Sequence, residues 1–287
     1  MFVVLDCVTH LASCHAGEVA YCGSDGGIYN AHCAASAGIG AVIFNDAGIG
    51  RERAGVAGLA LLEKLDVPAA AISHLSARIG DGKDGVARGV LTTVNGPAAK
   101  LGLKVGQSCH DALILLSAAK LGTAPLPVPL GGSRFEAKEM RSWFTKVMVM
   151  DAIALVKPED KSQVVVAASH GGVIGNRSDL AIEHPVFACV MIDADRGIDN
   201  AGTRRLPALD EKGIAAACAS AFSCRVGDGR SLWDDGFIST VNEMAQRHGG
   251  MIGQSTKQFV AAMVSARDTV IRGAQIRVDA AKDSMND

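Results

Sequence analysis

Two glycine-rich motifs, GSDGG and ASHGG, carry residues that could exchange protons with a substrate. In the first motif Ser24 precedes Asp25, and in the second Ser169 precedes His170. An imidazole titrates near neutral pH and a carboxylate can accept or donate a proton, so these motifs favour general acid–base catalysis. The two serine hydroxyls are candidate nucleophiles or oxyanion donors. All four residues are therefore predicted to be catalytic, with a purely structural role as the alternative.

The glycines of the same motifs point to a binding role. Backbone N–H groups in glycine-rich turns before helices can form anion-binding nests. Tight strand-to-helix turns are the alternative explanation, because glycine tolerates backbone conformations that other residues avoid. The candidates for substrate binding are Gly26, Gly27, Gly171 and Gly172.

Three further titratable residues lie in or directly after apolar segments. Asp6 and Asp151 stand in matching apolar stretches, and His74 follows the apolar segment VPAAAIS. A carboxylate in an apolar strand is costly unless it is hydrogen-bonded. We therefore expect either proton transfer or hydrogen bonds to loop backbone and serine from the two aspartates, and a catalytic or a packing role for the histidine.

Two matching turns, RIGDG and RVGDG, begin with Arg78 and Arg225. A guanidinium suits a carboxylate or phosphate, which predicts substrate binding. The alternative is a salt bridge to Asp81 or Asp228 of the same turn, and both aspartates also resemble helix N-caps. Serines that precede these arginines complete the candidate binding group: Ser73, Ser76, Ser220 and Ser223.

Asp46 and Asp193 also occupy matching positions, each directly after an apolar stretch. We include both with the substrate-binding residues; a divalent cation or an acid/base role is the alternative. The chain has no HExxH motif and no Cys/His cluster of the kind that holds zinc. The motifs GSDGG and ASHGG do not match GxGxxG, and GxxxxGK[ST] and GxSxG are missing, so the sequence predicts no metal and no cofactor.

An internal duplication organises these matching motifs. Residues 67–95 and 214–242 align without a gap, and twelve of the 29 aligned positions are identical. A repeat this long indicates a duplicated domain rather than a solenoid. We predict a first copy at 1–122, a Pro/Gly-rich connecting segment at 123–145, a second copy at 146–264 and a C-terminal helix at 265–287.

Each copy alternates apolar strands with helical segments, which predicts an α/β protein of two lobes with mostly parallel sheets and flanking helices. The turn KPEDKSQ is shorter than a crossover helix requires, so we expect the first two strands of each copy to form an antiparallel hairpin. That register places Asp6 opposite Ser24 and Asp151 opposite Ser169.

Charge and hydropathy limit the partners. The 287 residues include 28 basic and 30 acidic ones, with a formal net charge of -2. This balance argues against a nucleic-acid surface, and no apolar run is long enough to span a membrane. The N-terminus lacks the basic region of a signal peptide, and the eight cysteines show no metal-type spacing. We therefore predict a cytoplasmic protein, with a homo-oligomer as one possibility.

Together the motifs favour a cofactor-independent enzyme with a small anionic or amide substrate between the two lobes. Hydrolysis of a C–N bond in a carboxylate- or amide-containing metabolite is the leading prediction. An isomerase or lyase using the same acid/base groups is the first alternative. A non-catalytic two-lobed protein that binds a small anion is the second.

Overall fold

The computed structural model describes residues 1–127, 133–175, 177 and 182–283. Part of the predicted connecting segment, 128–132, lies outside the described residues, as does 284–287 of the predicted C-terminal helix. The described chain forms two helix-covered sheets, one from each copy. The predicted α/β architecture with two lobes and mostly parallel sheets is confirmed.

The first sheet has the strand order β1-β2-β3-β4-β5. Its first four strands run parallel, and the fifth pairs antiparallel with the fourth. The strands are β1 Phe2–Leu5, β2 Val19–Asp25, β3 Ala41–Asn45, β4 Ala69–Ile72 and β5 Leu91–Val94.

The second sheet repeats this order and adds one strand at its edge, giving β11-β10-β9-β8-β7-β6. The added strand, β6, comes from the connecting segment and pairs antiparallel with β7. The strands are β6 Arg134–Glu136, β7 Val147–Met150, β8 Val164–His170, β9 Ala188–Ile192, β10 Ala215–Ala219 and β11 Ile238–Val241.

Helices cover both faces of each sheet, because successive strand residues point to opposite faces and both sets are apolar. The last helix begins inside the second copy, ahead of the predicted boundary at 265. The helices are α1 Ile28–Ser36, α2 Gly58–Lys64, α3 Gly82–Arg88, α4 Gly96–Lys100, α5 Cys109–Ala118, α6 Arg205–Glu211, α7 Gly229–Asp235, α8 Glu243–Arg247 and α9 Thr256–Asp283.

The predicted N-terminal hairpins are wrong: β1 and β2 are parallel, and so are β7 and β8. The second strand pair shows the reason. β7 ends at Met150 instead of continuing through residue 156, so the connection runs over 151–163 and contains two short 3-10 turns. About a dozen residues suffice for a crossover between parallel strands. The antiparallel pair shared by both lobes lies at the other end of each sheet.

The parallel register also corrects the expected neighbours of two aspartates. Leu5 pairs with Cys22, so Asp6 follows beside Gly23 rather than opposite Ser24. Met150 pairs with Ala167, which likewise moves Asp151 away from the position opposite Ser169.

The lobes meet through contacts that occur in equivalent pairs. Arg51 N donates to the Ala221 carbonyl at 2.8 Å, and Ile198 N donates to the His74 carbonyl at 2.9 Å. A small apolar cluster from both lobes lies at the same interface: Ala47, Ile79, Ala194 and Ala201.

Left-handed loops carry these contacts. Ala47, Gly48, Ile49 and Gly50 all have positive φ, and residues 194–197 repeat the same conformation. For a β-branched residue such as isoleucine this backbone region is unfavourable. The surrounding hydrogen bonds, including Ile49 N to the Asp46 carbonyl at 2.7 Å, hold the loop in place.

None of the described helices is both long enough and apolar enough to cross a membrane.

Candidate functional site

A cavity of ≈ 570 Å³ lies between the lobes at the carboxyl ends of β2 and β8. Ligands of open α/β sheets bind at this end of parallel strands. Four residues singled out from the sequence line it together: Ser24, Asp25, Ser169 and His170. We call this space the inter-lobe cavity.

Asp25 is buried in the wall of this cavity, with 5% of its surface exposed. Its Oδ1 accepts a hydrogen bond from Gly27 N at 3.0 Å. Burial raises the pKa of Asp25 to about 6, although hydrogen bonds from Gly27 and Asn30 oppose this rise. A carboxyl group that titrates near 6 can act as a base at neutral pH and still release its proton readily.

His170 holds the equivalent position at the end of β8 and is equally buried. Its Nδ1 accepts a hydrogen bond from Gly172 N at 3.1 Å, which matches the contact of Asp25 with Gly27. Burial and the nearby Arg205 lower the pKa of His170 to about 3. The ring is therefore neutral at physiological pH, with its proton on Nε2 and Nδ1 as the acceptor.

The hydroxyls of the two serines accept hydrogen bonds from backbone N–H groups. Ser24 Oγ accepts from Val8 N at 2.9 Å and donates to Cys7 Sγ at 3.7 Å. Ser169 Oγ accepts from Ile153 N at 2.9 Å. No described histidine or carboxylate hydrogen-bonds to either hydroxyl, so neither has the adjacent base that activates a serine nucleophile.

The glycines do not form the expected nest. All four amides donate within the fold: Gly26 N to Asn45 O, Gly27 N to Asp25, Gly171 N to Ile192 O and Gly172 N to His170. Since each N–H is already paired, these turns shape the strand ends and hold the two ionisable side chains.

Asp6 and Asp151 make the structural contacts that the sequence analysis named as their alternative. Asp6 Oδ1 accepts from Gly82 N at 2.7 Å, and Asp151 Oδ1 accepts from Gly229 N at 2.9 Å. Each thereby satisfies a free N–H at the start of a helix. Burial raises the pKa of Asp151. Neither aspartate lines the inter-lobe cavity.

Asp46 and Asp193 fasten the left-handed loops. Asp46 Oδ1 accepts from the backbone N of both Gly48 and His74, and Asp193 Oδ1 accepts from Asp195 N and Ala221 N. Their other carboxylate oxygens accept from hydroxyls of neighbouring strands, Thr92 and Ser239. These contacts occupy both carboxylates away from the inter-lobe cavity.

His74 also lies outside the cavity. Its Nδ1 is 2.8 Å from Asp46 Oδ1, and its Nε2 is 3.1 Å from Asp195 Oδ2 of the other lobe. Burial lowers the pKa of His74, but hydrogen bonds and charge from Asp46 and Asp195 outweigh this and raise it overall. When the ring is protonated, it therefore forms an ion pair with one carboxylate of each lobe and bridges the two lobes.

The paired arginines do not reach the cavity either. Arg78 Nη2 lies 3.1 Å from Asp84 Oδ1, and Arg225 Nη2 lies 2.9 Å from Asp228 Oδ2. Arg225 also contacts Glu52 of the other lobe at 3.1 Å. These ion pairs are the structural alternative to substrate binding.

The polar residues beside those arginines, including the four serines predicted to bind substrate, form the turns themselves. Asp81 and Asp228 are the N-caps of α3 and α7. Ser76 and Ser223 donate to the carbonyls of Ser73 and Ser220 and accept from Val90 N and Phe237 N, respectively. Ser73 and Ser220 in turn accept from Leu75 N and Phe222 N.

Sequence reasoning missed Arg205, at the start of α6. Only 3% of its surface is exposed, and it lines the inter-lobe cavity. Nε and Nη2 donate to the Gly172 carbonyl at 3.2 and 2.8 Å. The aligned residue of the first lobe is Gly58. The sequence signal that could have identified Arg205 was therefore an arginine at a position where the other copy has glycine.

Comparisons with protein families, curated proteins and solved structures found no match to this chain. Among the residues that the structure describes, no group of three His, Cys, Asp or Glu side chains is placed to hold a metal ion.

Proposed function

We propose that the protein is an acid–base enzyme that acts on a small polar metabolite in the inter-lobe cavity, with Asp25 as the proton-transfer group. One observation carries the proposal: Asp25 and His170 hold equivalent buried positions in one cavity but differ in chemistry. A carboxyl with a pKa of about 6 can cycle its proton at neutral pH, whereas the neutral imidazole offers an N–H donor.

Hydrolysis of a C–N bond is the reaction we propose first. Asp25 removes a proton from water as the water oxygen bonds to the carbonyl carbon. The C–N bond then breaks, and the proton passes from Asp25 to the departing nitrogen. The Nε2–H of His170 is suited to hydrogen-bond the carbonyl oxygen as its negative charge develops. Water replaces serine as the nucleophile because both serine hydroxyls hold backbone groups.

An isomerase or lyase reaction is the second candidate, and the same serine geometry favours it. Proton abstraction from carbon needs a base and a group that stabilises the resulting anion, but no nucleophile. Asp25 and His170 supply both without any role for Ser24 or Ser169.

A panel of small amides, carboxylates and hydroxy acids in D2O separates these reactions. Release of ammonia or amine reports hydrolysis, and exchange of a substrate C–H for deuterium reports proton abstraction from carbon. We expect Asp25→Asn to lower kcat by about 10²–10⁴, the range of general acid–base catalysis. The kcat/KM of the wild type should rise with pH through about 6 as Asp25 ionises.

Asp151→Asn is the matched control, because this carboxylate is also partly buried at a strand end but lies outside the cavity. Circular dichroism verifies folding of both variants. Near-normal kcat in folded Asp25→Asn would overturn the assignment. Binding of panel members without any turnover would instead support the two-lobed binding protein.

A further inference from the structure

Arg205 is a buried cation beside the inter-lobe cavity, and its charge has no carboxylate partner in the described part of the chain. Its guanidinium contacts the Gly172 carbonyl and, at 3.9 Å, the sulfur of Met191. These groups satisfy hydrogen bonds but do not neutralise the charge. Burying an unpaired charge is costly, and proteins normally pair it.

The aligned position shows that the fold does not require this cation. In the first lobe it is Gly58, whose N donates to the Gly26 carbonyl just as Arg205 N donates to the Gly171 carbonyl. A Cβ at Gly58 would overlap the Gly27 carbonyl oxygen. One lobe therefore excludes any side chain at this place, whereas the other extends a guanidinium to the cavity wall.

We propose that Arg205 binds the carboxylate of the metabolite that enters the inter-lobe cavity. This inference rests on the proposed function for the reaction, but the binding of the carboxylate can be tested without turnover. The bound carboxylate would supply the missing counter-ion in a site largely shielded from water, where a charge-assisted hydrogen bond is strong.

The surroundings favour a carboxylate over a phosphate. Phosphate sites usually gather several backbone N–H groups at a turn or helix start. Here the amides of Gly26, Gly27, Gly171 and Gly172 all donate within the fold. One guanidinium remains, which matches the single charge of a carboxylate.

The two lobes line the inter-lobe cavity with different residues. Asp25, Tyr29 and Asn30 line it from the first lobe, and Arg205 lines it from the second. Arg205 also helps to lower the pKa of the neutral His170. The second lobe's other charged lining residue, Glu183, has an exposed side chain, so Arg205 is the buried charge that this lobe presents to the cavity. A carboxylate on Arg205 therefore leaves the rest of the substrate to face Asp25.

The test measures binding by calorimetry for matched pairs of probes: malonate with malonamide, succinate with succinamide, and inorganic phosphate. We expect at least one carboxylate to bind wild-type protein ten-fold or more tightly than its amide, and more tightly than phosphate. Arg205→Met should abolish that preference, and Arg205→Lys should retain part of it. Arg204→Met is the matched control, since Arg204 is exposed and is not part of the cavity wall.

Thermal unfolding without ligand separates binding from structure. We expect the midpoint of Arg205→Met to equal or exceed that of the wild type, because the variant no longer buries an uncompensated charge. If Arg205→Met unfolds before binding can be measured, retention of the preference by Arg205→Lys and its loss in Arg205→Gln carry the same test.

The outcomes for the two proposals are distinct. The carboxylate proposal is overturned if no carboxylate binds wild type more tightly than its amide, if phosphate binds more tightly, or if Arg205→Met keeps the preference. Asp25→Asn should bind the same carboxylate with affinity within about three-fold of wild type, or better, even though it loses turnover. Binding through Arg205 with normal turnover in Asp25→Asn would refute only the catalytic assignment.

Discussion

The two lobes repeat one backbone pattern but contribute different walls to the inter-lobe cavity. Cys7 and Thr9 in the first lobe align with Ala152 and Ala154 in the second, and all four line the cavity. By contrast, contacts that fasten each strand end, such as Val8 N to Ser24 Oγ, recur in both copies. Contacts that hold the fold, including those of the cavity-lining Ser24 and Ser169, are thus duplicated, whereas most other residues that line the cavity have diverged.

The largest expected effect concerns two equivalent glycines, one in each lobe. Gly80 and Gly227 are equivalent and have φ of +80° and +77°. A Cβ at Gly80 would overlap the Val173 carbonyl oxygen of the other lobe, whereas one at Gly227 would meet no described atom within 4 Å. We expect Gly80→Ala to lower the free energy of unfolding by about 3 kcal/mol or more, and Gly227→Ala by about 1–2 kcal/mol.

Urea unfolding of both variants checks this prediction. The shared positive φ cancels between them, so the difference reports the contact between lobes alone. Equal losses in the two variants would show that Gly80 does not hold the lobes together.

His74 gives the next effect, because only one lobe has it; the equivalent residue is Ala221. We expect His74→Ala to cost about 1.5–3 kcal/mol near pH 6, where the protonated ring bridges Asp46 and Asp195. A pKa raised in the folded state means that this contribution is fully present below the unfolded value of about 6.5 and is lost as pH rises through the folded value.

The measurement is the free energy of unfolding from pH 6 to 9 for wild type, His74→Ala and Asp195→Asn. The wild type should lose stability relative to His74→Ala as pH rises, and Asp195→Asn should show a smaller loss. Parallel curves for wild type and His74→Ala would contradict the ion-pair bridge.

The smallest expected effects are those of Arg78→Ala and Arg225→Ala. Both guanidiniums are partly exposed in ion pairs, so each variant should lose less than about 1 kcal/mol of stability. Neither residue lines the inter-lobe cavity, so carboxylate affinity measured by calorimetry should stay within two-fold of wild type. A ten-fold loss of carboxylate affinity in either variant would show that the substituted arginine takes part in substrate binding.

The repeat predicted the two lobes and their mostly parallel sheets correctly, because each pattern of strand, turn and helix occurs twice in the sequence. Apolar strands followed by glycine-rich turns are readable from residue order alone, and so is the grouping of Asp25 and His170 at strand ends. The predicted strand direction was wrong because β7 ends at Met150, and the side chain of the next residue, Asp151, accepts from Gly229 N at the start of α7, a contact made between residues far apart in the chain.

Arg205 was not predicted either, because its burial also depends on contacts between residues far apart in the chain. In TRRLPALDEKG it resembles a solvated helix residue beside Arg204, and only the packing of α6 shows which of the two is buried. Arg78 and Arg225 show the converse case: identical placement in both copies suggested a binding role. Arg78 instead pairs with Asp84 of the following helix, and Arg225 pairs with Asp228 of its own turn and Glu52 of the other lobe. A residue type repeated at the same position of both copies therefore indicated a structural contact more reliably than it indicated a residue of the cavity.

The paired contacts between the lobes have the form of an isologous interface, in which one surface patch meets its own copy. A homodimer of a single lobe could make the bonds of Arg51 to Ala221 and of Ile198 to His74 with one sequence position on each side. It would also carry the same residue at both strand ends, either two carboxyls or two imidazoles facing one space. Joining the copies in one chain removes that restriction, so that a carboxyl can occupy one strand end and an imidazole the other.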